Sequence, residues 1–183
     1  TMIHATYLED NGQRKLEMFQ AISARCDELQ RAQPKNANAH YFQAYALGRY
    51  SQGISVLKAL TDGLGGRIKG ALERTLKLQP KHAEAHTALG AYNAEVVDKM
   101  GSMVGKLTYG ASKEVSLKHF DTALKLTPDS AIACIEYANA LVMLFGQGRM
   151  DEAVRLYEKA AAATPVEAME YLDVELARSE LED

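Results

Sequence analysis

The chain has 183 residues, 47% apolar and 25% charged, with a net charge of −3. Such a make-up fits one soluble globular domain or one short repeat array, able to bury roughly 70% of its unfolded surface. The charge splits into −6 over residues 167–183, where seven acids (Glu167, Glu170, Asp173, Glu175, Glu180, Glu182, Asp183) face one base, Arg178, and +3 elsewhere. Neither part builds the basic field that nucleic acid or an anionic membrane demands.

No secretory signal is visible at Thr1-Met2-Ile3-His4, so a cytoplasmic location is expected, or a periplasmic one if an upstream signal has been removed. Residues 10–32 read as a leading helix. The phrase Pro34-Lys35-Asn36-Ala37-Asn38-Ala39-His40 then opens a helix from Ala37 to about Leu60, carrying Tyr41, Phe42, Tyr45 and Leu47. A break is expected at Asp62-Gly63-Leu64-Gly65-Gly66, and an apolar stripe through Leu72, Leu76 and Leu78 runs to Pro80. The phrase returns as Pro80-Lys81-His82-Ala83-Glu84-Ala85-His86 and opens a helix from Ala83 to about Met100 with Leu89, Tyr92 and Val96. After a break from Gly101 to Gly110, Phe120-x-x-Ala123-x-x-Leu126 leads to Pro128-Asp129-Ser130-Ala131-Ile132-Ala133-Cys134. The helix Ala131–Phe145 ends at Gly146-Gln147-Gly148. Tyr157-x-x-Ala160-x-x-Ala163 leads to Pro165, and 166–181 reads as a closing helix.

All four prolines stand in this phrase, at intervals of 46, 48 and 37 residues. Each removes a backbone donor and clashes with the preceding turn, so the helix before it stops there. Self-similarity at such a period marks a helical repeat array. The expectation is an all-α fold without strands: about eight helices in antiparallel pairs forming a right-handed superhelical solenoid. It is read as one domain, with a leading helix (1–33), units 34–79, 80–127 and 128–164, and an acidic capping helix (165–183).

The residues resemble tetratricopeptide repeats. Asp151-Glu152-Ala153-Val154-Arg155-Leu156-Tyr157-Glu158-Lys159-Ala160 with Pro165 follows the family pattern, as does Phe120-x-x-Ala123 with Pro128, and Leu89-Gly90 stands where the family has Leu-Gly. Thr75 and Ser116 depart from it at small-residue positions, and the first two hairpins are longer than the family's. Gly66-Arg67-Ile68-Lys69 through Leu78-Gln79-Pro80, Leu89-Gly90, and Gly105-Lys106-Leu107 before Phe120 are similar to the regulator of microtubule dynamics proteins. The long hairpins also resemble the T component of tripartite ATP-independent periplasmic (TRAP) transporters. These likenesses imply a partner-binding or ligand-cradling role.

Chemistry is hard to find. His82-x-x-x-His86 has the spacing of a helical zinc pair, but Ala83 stands where a zinc protease needs glutamate, and no third ligand is evident. Gly101-Ser102-Met103-Val104-Gly105-Lys106-Leu107-Thr108 misses the phosphate-loop spacing and follows a helix. Gly63-Leu64-Gly65-Gly66 lacks the strand–helix unit of a dinucleotide site. Cys26 and Cys134 lack metal or disulfide spacing and read as buried free thiols. The stretch from Ala131 to Gly146 is interrupted by Glu136 and Asn139, so no transmembrane segment is expected. Neither catalytic residues, nor metal, nor cofactors are expected.

The surface expected to hold a protein or peptide is the inner face of each hairpin's first helix. The tetratricopeptide resemblance places Asn38, Tyr41, Tyr45 and Arg49 there, with Glu84, Thr87 and Glu95 from the second copy and Ile135 and Asn139 from the third. Tyr41, Thr87 and Ile135 occupy a row where related chaperone-binding repeats hold a carboxylate clamp, so that clamp looks absent. Leu57, Leu60, Met100, Met103 and Val104 on the long hairpins must be covered by one another, by a second subunit in a homodimer, or by an apolar ligand. The first reading is therefore a non-catalytic scaffold; the alternative is a carrier of a small apolar ligand.

Overall fold

The computed structural model describes residues 1–182. Ten α-helices run along them: α1 (Gly12–Ala32), α2 (Ala37–Gln52), α3 (Val56–Thr61), α4 (Leu64–Leu78), α5 (Ala83–Met100), α6 (Ser102–Tyr109), α7 (Lys113–Leu126), α8 (Ala131–Phe145), α9 (Met150–Ala161) and α10 (Ala168–Glu182). A π-helical turn, His4–Leu8, precedes α1, and a 3-10 turn, Gly146–Arg149, joins α8 to α9. No strand occurs among the described residues. Helix α5 and α8 match the sequence expectation at both ends.

The repeated proline phrase proves to be one turn used three times. In each copy the residue before proline leaves the helical region: Gln33 at φ −136° and ψ 72°, Gln79 at −138° and 87°, and Thr127 at −134° and 81°. Steric clash with the proline ring favours that conformation. The carbonyl of this residue accepts a hydrogen bond from the amide three positions on, Asn36, His82 and Ser130, at 3.0, 3.1 and 3.3 Å. That third residue then caps the next helix. Asn36 Oδ1 accepts from the Ala39 amide at 3.2 Å, and Ser130 Oγ from the Ala133 amide at 3.3 Å. His82 Nδ1 does the same for Ala85 at 3.2 Å, an imidazole in the place of the usual short polar cap. The fourth copy works in reverse: Glu170 Oε2 accepts from the amides of Val166 and Glu167 at 2.8 and 3.2 Å. This is the backward half of a capping box.

The chain divides into two compact units, Thr1–Ala85 and His86–Asp183. In the first, α1 packs on α2 and α2 on α4, with α3 lying against α4. Its four-residue turn makes α1 and α2 an antiparallel hairpin. Phe19, Leu47, Leu64 and Leu72 are buried there beside small residues such as Ala39 and Ala44. Thr75, a departure from the repeat pattern, is fully buried and donates its hydroxyl to the Ala71 carbonyl at 2.9 Å, so its polar atom is satisfied.

In the second unit α8 is the central helix, with α7, α9 and α10 packed on it. Phe120 and Tyr137 stack with ring centroids 4.8 Å apart and planes within 4°. Ala94, Val97, Leu141 and Leu144 complete this core. The Tyr137 hydroxyl reaches Asp121 at 3.3 Å, and burial followed by that carboxylate pushes its pKa up to about 12. Ser116, the other departure, is fully buried and donates to the Gly90 carbonyl at 2.8 Å.

Cys26 and Cys134 are buried free thiols, and burial raises both pKa values. One run of helix, Ala131–Ala161, is long and apolar enough by length and composition to cross a membrane. Half of its most apolar window is buried within the fold, where it forms the α8–α9 pair.

Several expectations need correction. The helix expected from Ala37 to about Leu60 ends at Gln52, and α3 follows as a separate piece. The expected break at 101–110 is a helix, α6, bounded by Gly101 and Gly110 at φ 78° and 66°. Gly65 and Gly66 lie inside α4. The inserted lengths thus form two extra short helices, giving ten where about eight were expected. On the acidic closing helix α10, Val174 and Ala177 enter the core beside Ile135 and Ala160, while Asp173 is buried and Leu176 is 36% exposed. Asp183 lies outside the described residues.

Candidate functional site

Four of the residues expected at a binding face lie along one side of α2 at helical spacing, Asn38, Tyr41, Tyr45 and Arg49. The structure links them to one another and to their surroundings. Asn38 Oδ1 lies 3.0 Å from His82 Nε2, and the Tyr41 ring packs on the His82 ring at 4.8 Å between centroids. Tyr41 and Tyr45 are 6.3 Å apart, centroid to centroid. The Tyr45 hydroxyl is 3.1 Å from Thr6 Oγ1 of the amino-terminal turn. Arg49 lays its guanidinium over the Tyr45 ring at 5.3 Å and donates from Nη1 to Gln52 Oε1 at 3.3 Å.

His82 anchors the near end of this row. In the neutral ring, Nδ1 accepts the Ala85 amide and Nε2–H donates to Asn38, so both nitrogens are engaged. Glu84 also approaches Nδ1, at 3.1 Å, a contact in which only a protonated ring can donate. Its carboxyl is held below the usual carboxylate range, first by that contact with His82. Sequence reasoning weighed His82 as half of a zinc pair, set that aside, and did not identify it as a helix cap. Its place two residues after Pro80, where Asn36 follows Pro34, is the signal that marks it as a cap.

At the far end the row opens into a groove of about 540 Å³. Leu16 and the deeply buried Phe19 form its floor, Lys15 and Arg49 line it as cations, and Thr6 and Gln52 add polar edges. Gly53 closes against the floor: a β-carbon there would meet Leu16 Cδ2 at 2.6 Å, so only glycine leaves the leucine where it is. A second hollow of about 480 Å³, lined by Asp27, Glu28, Arg31 and His40, is of mixed charge.

The other expected residues are differently placed. Glu84 is exposed at the start of α5, and Glu95 is half-buried and paired with Lys99 at 3.0 Å. Thr87 is buried. Ile135 is a core residue packed with Cys134, Ala160 and Val174, which removes it from the binding set. Asn139 is half-buried, and its Oδ1 accepts from the Tyr157 hydroxyl at 2.7 Å. His86 lies with its Nδ1 2.9 Å from His119 Nδ1. No group of three metal-ligating side chains occurs among the described residues.

Of the five residues expected at a pocket or interface, Leu57 and Leu60 on α3 are 72% and 43% exposed. On α6, Met103 and Val104 are 84% and 46% exposed, while Met100 at the end of α5 is half-buried. Leu57, Leu60, Met103 and Val104 thus each stand open to solvent. Leu107, 88% exposed, extends the α6 patch.

No individual curated protein matches the chain. A family model does, the one described as regulator of microtubule dynamics protein 1-3, and it matches residues 2–182. With that span covering nearly the whole sequence, the chain belongs to the regulator of microtubule dynamics protein 1-3 family.

Proposed function

We propose that the chain is a non-catalytic helical-repeat scaffold that binds a protein or peptide segment along the Asn38–Arg49 face of α2. In this reading the hairpins form a right-handed, tetratricopeptide-like superhelical array, as the recurring proline turn and its caps favour. The observation that carries the proposal is the tyrosine row on α2 running into the open groove beside Arg49. Tyrosines supply large contact area at low entropic cost, and their positions here are already held by His82, Thr6 and Arg49. The family's name adds the proposal that the partner is a protein concerned with microtubule dynamics.

A second reading draws on the apolar side chains of α3 and α6, which stand open at Leu57, Met103 and Leu107. Exposed apolar side chains on either helix would suit a carrier of a small apolar ligand or a homodimer. Native mass spectrometry of freshly purified protein separates these readings. The scaffold reading expects the bare chain mass. Extra small-molecule mass that organic extraction removes would replace it with the carrier reading, and a doubled mass would assign the α3 and α6 tips to a dimer.

A further inference from the structure

We propose that the exposed flank of α4 is a docking stripe for an acidic polypeptide segment, held by Arg67, Arg74 and Lys77, with Lys81 just past the helix end. The stripe uses none of the residues of the α2 face proposed above.

The first argument is where the positive charge falls. The chain is −3 overall, yet residues 34–81 hold eight bases against two acids, Asp62 and Glu73. Both acids are already matched, Asp62 to Lys58 at 2.9 Å and Glu73 to Lys69 at 3.2 Å. Arg67, Arg74, Lys77 and Lys81 are paired with no carboxylate among the described residues. Three of them are exposed, and Arg74 is half-buried. Positions 67, 70, 74 and 77 follow the three-four spacing that keeps side chains on one flank of a helix.

Shape is the second argument. Position 70 in that row is glycine, and a β-carbon there would meet nothing within 4 Å. Arg67 and Arg74 stand about 10 Å apart along the helix axis, with bare backbone between them. A main chain crossing Gly70 can therefore set carboxylates on both guanidinium forks. Residues three apart in an extended segment are also separated by about 10 Å, so acids at every third position match the two arginines.

The make-up of α4 selects the class of partner. The helix has no aromatic side chain, whereas single-stranded nucleic acid uses stacking surfaces beside its cations. It exposes no large apolar side chain either, so a membrane would be held by charge alone. An acidic polypeptide asks for neither feature.

The test uses the full chain and a fluorescein-labelled peptide of four Glu-Gly-Ser repeats, followed by fluorescence anisotropy. Its control is the same peptide with glutamine for glutamate. The acidic peptide should bind at least about tenfold tighter than the control, and weaken between about 50 and 500 mM salt. Arg67→Gln and Arg74→Gln should each lower affinity about fivefold or more. Gly70→Leu, which changes no charge, should lower it about threefold or more by filling the gap between the arginines. Lys125→Gln removes one charge from α7 and should leave affinity within about twofold. Circular dichroism checks that each variant is folded.

Absence of binding, equal affinity for the two peptides, or no response to Arg74→Gln overturns the proposal. Competition then tests the class of partner, with oligothymidylate and with phosphatidylcholine vesicles containing phosphatidylserine. Either one displacing the labelled peptide at a lower anion concentration than the unlabelled peptide does would assign the stripe to nucleic acid or lipid and discard the proposal. Weaker displacement by both supports it.

Discussion

Gly90 of α5 and Phe120 of α7 approach so closely that no side chain fits between them. A β-carbon on Gly90 would lie 2.7 Å from both Cδ2 and Cε2 of the Phe120 ring. Phe120 is fully buried and stacked on Tyr137, so the ring cannot easily give way. Gly90→Ala therefore sets overpacking, about 1–3 kcal/mol, against the helix propensity that alanine gains over glycine, about 1 kcal/mol. We expect a net loss of up to about 2 kcal/mol in urea denaturation with unchanged slope. Gly70 on α4 has open space around its Cβ position, so Gly70→Ala should stabilise by about 0.5–1 kcal/mol. A stabilised Gly90→Ala protein would contradict the close packing.

The caps after each proline turn give a second test. Asn36→Ala and Ser130→Ala should each destabilise by about 1 kcal/mol through loss of a helix N-cap. His82→Ala should cost more, about 2–3 kcal/mol, because the same ring is buried, caps α5, bonds Asn38 and packs on Tyr41. Equal losses at all three positions would mean that the histidine acts as a cap alone.

Stability should also depend on pH through His119. Burial first, then the neighbouring His86 and Lys118, lower its pKa from 6.5 to about 4. A base with a depressed folded-state pKa binds fewer protons folded than unfolded between those two values. Its contribution is therefore present above about pH 6.5 and is lost as pH falls toward 4. Because the ring is half-buried and partly screened by water, the loss should be on the order of 1 kcal/mol. Urea midpoints measured from pH 7 to 4.5 should fall less steeply in His119→Gln than in the wild type. Parallel pH profiles would refute the assignment.

Much of the fold was legible because proline, glycine and apolar spacing act locally. Helices α5 and α8 end where Pro80, Gly101, Pro128 and Gly146 said they would. The capping residues were just as local, since Asn36, His82 and Ser130 stand at one offset from proline, but the alanines after them drew the reading first. Thr75 and Ser116 looked like departures from a small-residue pattern, yet their hydroxyls bond helical carbonyls and fit the same slots.

Facing was harder to read than helicity. Ile135 and Thr87 lie on helices expected to contribute an inner surface, but which stripe is covered depends on how neighbouring helices pack. That information is distributed over distant segments such as α10 with Val174. On α2 the aromatic row was visible, while the groove beside it was not. The groove needs Thr6, Leu16 and Gly53, three residues from separate segments that share no motif.

The most direct measurement is a two-dimensional amide NMR titration of the isotopically labelled 20.1 kDa chain with a library-selected peptide. The account expects the largest shift changes along the α2 face and the groove, at Tyr41, Tyr45, Arg49, Leu16 and Gly53. Changes confined to α3 and α6, around Leu57, Met103 and Leu107, would contradict it and move the binding surface to the apolar tips.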